Sequence, residues 1–244
     1  MSEARTLSRP PIIEALVDIR ASVSGDVAAF QEFAKEFRDE FPKVKVKHGV
    51  RAELKVERGR LLPPSAEMLG FQGVALTNDD ETLTVQFRPD GFTLNNVQRY
   101  IGGDRLISDA VRLWSRFADR MQPANASRVA FRYINQLNLP LQSGEDFDVY
   151  LTSAPELPKE LPQHFSEFLS QIVAHNQSDT TLVVTQRLTT TEAGPILLLD
   201  IDVAKYRAFS GNADELSDTL ATLRILRNQA FFALITDKTV NLFV

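Results

Sequence analysis

Three arginines and two aspartates are the residues of this chain best suited to chemistry. Arg88, Arg132 and Arg187 each stand in a run rich in β-formers. The planar fork of a guanidinium matches phosphate or carboxylate geometry. Asp200 and Asp202 flank Ile201 in Leu197-Leu-Leu-Asp-Ile-Asp-Val203. Alternation on a strand puts both carboxylates on one face, where such a pair could hold Mg²⁺ for phosphoryl chemistry. The competing expectation is that the arginines and aspartates meet in one sheet and neutralise each other without metal. Asp18 and Arg20 are in phase on an earlier strand, as are Gln86 and Arg88. These five residues, Arg88, Arg132, Arg187, Asp200 and Asp202, form the candidate ligand-binding set.

Other chemistry is excluded or unsupported. The chain has no cysteine, which removes disulfides, thiolate catalysis and Cys-ligated zinc. His48, His164 and His175 have no metal-ligand spacing and read as structural or surface residues. Walker, dinucleotide-binding and nucleophile-elbow glycine patterns do not occur. No cofactor is expected. Net charge is −5 with a pI near 5.3, which argues against a broad nucleic-acid or anionic-membrane footprint. Residues 141–244 carry 7 basic and 14 acidic residues, against 20 and 18 in residues 1–140. The two parts could dock through partly complementary charge.

Strands must position these groups. The run Arg128-Val-Ala-Phe-Arg-Tyr-Ile-Asn-Gln-Leu-Asn-Leu-Pro140 reads as one long strand. It places Arg128, Arg132 and Gln136 on one face and Val129, Phe131, Tyr133 and Leu137 on the other. Its lack of an internal proline predicts a position inside a sheet. Asn135 falls on the apolar face, where it needs a hydrogen-bond partner. Further strands are predicted at 11–20, 44–56 (or a hairpin broken at His48-Gly49), 69–77, 82–88, 91–97, 180–190, 196–206 and 239–243. Pro89-Asp-Gly91 signals a hairpin turn. Helices are predicted at 26–41 on a Phe30, Phe33, Phe37, Phe41 stripe, at 104–121, and at 212–233 behind an Asn212…Glu215 capping box. A short helix is expected at 163–174. A loop is expected at 58–68, and a linker or domain edge at 140–163, which holds four of the twelve prolines, with 142–162 as a surface connection. The strand-turn-helix units that begin at Pro11 and Pro195 echo each other as in a duplication.

Four motifs in order, Arg9-Pro-Pro-Ile-Ile-Glu-Ala15, Phe131-Arg-Tyr-Ile-Asn135, Leu199-Asp-Ile-Asp-Val203 and Asn228-Gln-Ala-Phe-Phe232, together resemble a sporadically distributed family of uncharacterised prokaryotic proteins of about this length. The resemblance spans essentially the whole chain. It implies a bacterial or archaeal cytoplasmic protein and no assigned catalytic residue. The apolar-poor start carries no secretory pattern, and the longest clean apolar run, Ala230–Ile235, is too short to span a bilayer.

The expectation is therefore an α+β fold. It has largely antiparallel sheet with three main helices packed on one side, as one domain or as two similar halves at 1–140 and 141–244. The leading functional expectation is a non-catalytic binding protein that engages a protein partner or forms a homo-oligomer. The alternative is a Mg-dependent enzyme that takes phosphate esters or nucleotides through the strand arginines and aspartates.

Overall fold

A computed structural model describes residues 7–53, 56–57, 60–61, 65–141, 146–162, 166–176, 179–192 and 194–244, with backbone alone between 50 and 69. His164, Pro63-Pro64 and Glu145 lie outside the described residues. The strands are β1 (Ile12–Arg20), β2 (Lys43–Glu53), β3 (Val56–Glu57), β4 (Arg60–Leu61), β5 (Ser65–Thr77), β6 (Leu83–Arg88), β7 (Gly91–Val97), β8 (Ala126–Asn138), β9 (Glu167–His175), β10 (Thr180–Thr191) and β11 (Gly194–Phe209). The helices are α1 (Val27–Ala34), α2 (Gly103–Met121), α3 (Ala213–Leu234) and the short α4 (Asp237–Val240).

Nine strands form one antiparallel sheet in the order β2-β5-β6-β7-β1-β8-β11-β10-β9. The fold is α+β, and the three main helices cover one face. β8 lies inside the sheet, paired with β1 on one side and β11 on the other. Around the β1–β8 pair the topology repeats. From β1 outward come β7, β6 and β5, and from β8 outward come β11, β10 and β9. α2 follows β7 and α3 follows β11. The topological counterpart of β1 is thus β8, where the sequence echo pointed to β11.

Alternation explains the two faces. Ala15, Val17 and Ile19 of β1, Val129, Phe131, Tyr133 and Leu137 of β8, and Leu197, Leu199, Ile201 and Val203 of β11 all point under the helices and are buried. Each fully buried Val, Leu, Ile or Phe among them stabilises by roughly 1.5–3 kcal/mol. The phenylalanine stripe is buried as predicted, although the α-helix ends at Ala34 and a 3₁₀ turn carries Phe37. Phe33 packs edge-on to Phe87 at 4.8 Å, and Phe87 meets Phe117 of α2 at 5.0 Å. α1 begins where the Asp26 side chain accepts from Ala29 N–H at 2.8 Å. At α3, Asn212 accepts from Glu215 N–H at 2.8 Å, but Glu215 reaches back to the Ser210 N–H at 2.8 Å and its hydroxyl, two residues before the cap.

The turn between β6 and β7 is the Pro-Asp-Gly turn. Gly91 (φ +140°) sits so near the Ile19 carbonyl that a Cβ would fall 2.0 Å from that oxygen. Only glycine lets β7 close onto β1 there.

Three expectations are corrected, and the choice left open at 44–56 is decided in favour of a strand. Residues 167–175 form β9 and not a helix, because Phe168, Ile172 and Val173 are β-formers and the segment pairs with β10 along its length. The last segment is helical at 237–240 and not a strand: the Thr236 side chain accepts from Thr239 N–H, which caps a helical turn. β2 is one strand whose register shifts at Lys47/His48 and Gly49/Val50, so His48-Gly49 marks a bulge and not a break. The expected loop at 58–68 contains β4 and the start of β5. The connection at 140–163 is exposed over most of 153–161, but Tyr150 and Leu151 are buried. Leu151 bridges to Ile235, and Thr236 N–H donates to the Tyr150 carbonyl at 3.0 Å.

Candidate functional site

The face of the central strands opposite the main helices is built from the other half of the alternation. β1 contributes Glu14, Asp18 and Arg20, β6 Arg88, β7 Thr93 and Asn95, β8 Arg128 and Arg132, and β11 Asp200, Asp202 and Tyr206. Strand pairing brings together charges up to 110 residues apart in sequence.

Asp18 is the hub. Its carboxylate accepts from Arg20 Nε at 3.0 Å, Arg88 Nη2 at 2.9 Å, Arg128 Nη1 at 2.8 Å and the Thr93 hydroxyl at 3.0 Å. Burial pushes this carboxyl up, but the hydrogen bond and charge of Arg88, with the charges of Arg20 and Arg128, outweigh it and hold the pKa below the ordinary value. Asp90, in the β6–β7 turn, accepts from Arg88 Nε at 2.9 Å and from Arg20. Arg128 then continues the network to Asp202 at 2.8 Å and to the Tyr206 hydroxyl at 3.1 Å. Ala130 and Ala204, both buried on this face, leave the space across which Arg128 extends. Arg132 holds Asp200 by a two-pronged contact of 2.7 and 2.5 Å.

Asp202 differs from Asp18. Its Oδ1 is buried with no hydrogen-bond partner. Burial raises its pKa, and the opposing charges of Arg128 and Arg132 do not cancel that rise beside Asp200 and Asp18.

The structure therefore ion-pairs four of the five sequence candidates, Arg88, Arg132, Asp200 and Asp202, on this face. Arg187 points to the same side from β10, but it is exposed and makes no ion pair among the described residues. Asp18 and Arg128, outside that set, link its members: Asp18 holds Arg88, and Arg128 joins Asp18 to Asp202. Their signal was present in the sequence as in-phase strand charges, but strand order was needed to show that Asp18 meets three arginines.

A second polar cluster lies under the helices, and the sequence reading missed it. Arg227 of α3 is buried, with its guanidinium 3.4 Å from the centre of the Tyr133 ring and Nε unpartnered. Burial lowers its pKa to about 10, against the pull of the Tyr133 and Tyr100 oxygens. Tyr133 and Tyr100 share a hydrogen bond between hydroxyls. Arg224, one turn away, pairs with Asp104, and it fills the space where a Cβ on Gly103 would lie. Asn135 donates to the Leu199 carbonyl at 3.0 Å, which ties β8 to β11. His48 lies beside the Phe71 ring, and exposed His175 bonds Thr181 at 3.0 Å. Among the described residues no three His, Asp or Glu side chains are grouped to hold a metal ion. No helix among them is long and apolar enough to cross a membrane.

No family model matches the chain, and no curated protein matches it. Among solved structures, the S. pombe Pct1 RNA triphosphatase in complex with the Spt5 CTD aligns over 96% of this chain and 83% of that one, at 9% identity and a TM-score of 0.14. A score that low carries no argument about fold or activity.

Proposed function

We propose that this protein is a non-catalytic binding protein, and that it presents the open face of its central strands to a protein partner. The observation that carries this reading is the mutual neutralisation of that face. Arg88, Arg128 and Arg132 already hold Asp18, Asp90, Asp202 and Asp200. A surface of alternating charges fixed by its own contacts keeps a rigid pattern, which favours electrostatic selection of one partner over others. The reading includes a cytoplasmic location in a prokaryote, as the family resemblance implies.

The second reading is a Mg-dependent enzyme on phosphate esters. Two observations favour it: the unpartnered Oδ1 of Asp202, and Arg187, which has no ion pair among the described residues. It would require Asp200 and Arg132 to leave each other so that one binds metal and the other phosphate, at the cost of a strong charge-assisted contact.

Two measurements separate the readings. Titration calorimetry with Mg²⁺ and nucleotides is expected to give no saturable binding tighter than about 1 mM, equivalent to roughly 4 kcal/mol. Tighter binding that both Asp200→Ala and Asp202→Ala abolish would overturn the first reading and favour the enzyme reading. Affinity purification from the source cells is expected to recover a partner with the wild-type chain. The exchange Arg132→Asp with Asp200→Arg keeps a pair but reverses its pattern, and it should lose that partner.

A further inference from the structure

The two edges of the sheet are unlike. β2 carries Lys43, Lys45 and Lys47 along its length, a common device against edge-to-edge pairing. β9, at the opposite edge, has no lysine, arginine or proline in Glu167-Phe-Leu-Ser-Gln-Ile-Val-Ala-His175. Among the described strands it is paired on one side only, to β10. Leu169 is 72% exposed, Ile172 57% and Val173 51%. Beside β9 on the helix side runs an apolar groove of about 180 Å³, lined among others by Ile172, Ala174, Leu182, Val184 and Leu234. An edge of nine residues with exposed apolar side chains and no charge in its interior is a template for another strand.

We infer that β9 is the dimerisation strand of this protein, pairing antiparallel with β9 of a second copy about a two-fold axis through Gln171. The argument for a second copy is self-complementarity. Only every second residue of an edge strand points its N–H and C=O outward, so directly opposed residues in a symmetric antiparallel pair must share parity. The axis therefore passes through a residue and not between two. Centring it on Gln171 uses all nine residues and sets Glu167 against His175 of the other copy, a hydrogen-bond acceptor against an imidazole that can donate, at both ends. It also sets Leu169 against Val173 on the open face, twice, and Ile172 against Ser170 on the helix face. The two Ile172 side chains then lie diagonally across the axis, within reach of each other over the two grooves. No like charges meet in this register, and the exposed apolar residues of the strand are covered by their own copies. The surface is separate from the charged face of the central strands, so it stands whether or not that face binds a partner.

The test uses the cysteine-free background of the full chain. Sedimentation equilibrium over the micromolar range is expected to give twice the chain mass of 27.3 kDa. The double variant Leu169→Lys with Val173→Lys is expected to sediment as a monomer with an unchanged far-ultraviolet circular dichroism spectrum. Gln171→Cys should form a disulfide-linked dimer under mild oxidation, because opposed Cα atoms about 4.5–5.5 Å apart suit a disulfide. Glu167→Cys should not, because its own mate lies roughly 27 Å away in that register. The two cysteine variants decide the matter even if the lysine variant unfolds. A monomeric wild type, a dimer unaffected by folded lysine variants, or cross-linking of the Glu167→Cys variant but not of Gln171→Cys would overturn the inference.

Discussion

Asp18 and Asp202 show how one face can press two carboxylates in opposite directions. Asp18 is buried but accepts from three guanidinium groups and a hydroxyl. Asp202 has one oxygen buried and unpartnered. Because the folded pKa of Asp18 is depressed, its contribution to stability is full above the unfolded value, roughly 4, and is lost as pH falls through the folded value. Asp202 has a raised folded pKa, so its ionisation opposes folding as pH rises from that same unfolded value through the folded one. Asp18→Asn is therefore expected to cost about 2 kcal/mol at pH 7, since it weakens the charged hydrogen bonds of a buried carboxylate to the partly buried Arg88 and Arg128. It should also flatten the loss of stability below pH 4. Asp202→Asn should cost clearly less at pH 7. Urea denaturation of both variants across pH 3–8 checks the contrast, and equal costs at pH 7 would refute it.

At the scale of elements, β8 has the heaviest structural role. It lies between β1 and β11, and Phe131 on its covered face is wholly buried. Phe131→Ala is expected to cost about 3–5 kcal/mol in chemical denaturation, as a core truncation does, and a loss below about 1 kcal/mol would contradict that burial. The connection from β8 to β9 behaves differently along its length. Tyr150 and Leu151 are held by Thr236, Thr239 and Ile235, while most of 153–161 is exposed and rich in proline. Limited proteolysis is expected to cut first within 153–162. First cleavage inside α2 or α3 would show that the pinned part does not protect its flank.

At the scale of the molecule, the central β1–β8 pair joins two strand-and-helix arrays into one sheet. The single tryptophan reports on that junction. Trp114 of α2 donates to the Gly211 carbonyl, just before α3, at 2.9 Å, and meets Phe92 and Phe117. α2 and α3 are further joined by Arg224 and Asp104. Unfolding is expected to be one cooperative event, with tryptophan fluorescence and circular dichroism following the same denaturant curve. Separated curves would mean that the arrays unfold independently.

Alternation and helical spacing were enough to read the α+β class, the three helices and most strands, because periodicity is written in neighbouring residues. The faces of Arg128, Arg132, Asp200 and Asp202 followed from the same alternation. The helix expected at 163–174 is a strand from Glu167 onward, because a short apolar run is ambiguous until a neighbour such as β10 supplies its hydrogen bonds. Strand order was not legible, so neither was the hub at Asp18, whose partners come from β1, β6, β7 and β8. Nor was the buried Arg227, which lies in an otherwise ordinary helical stretch and meets Tyr133 only after α3 docks on β8. Periodicity is local and decides which way a side chain faces. Which charges meet across a face depends on pairings between distant segments, and these exist only once the sheet has formed.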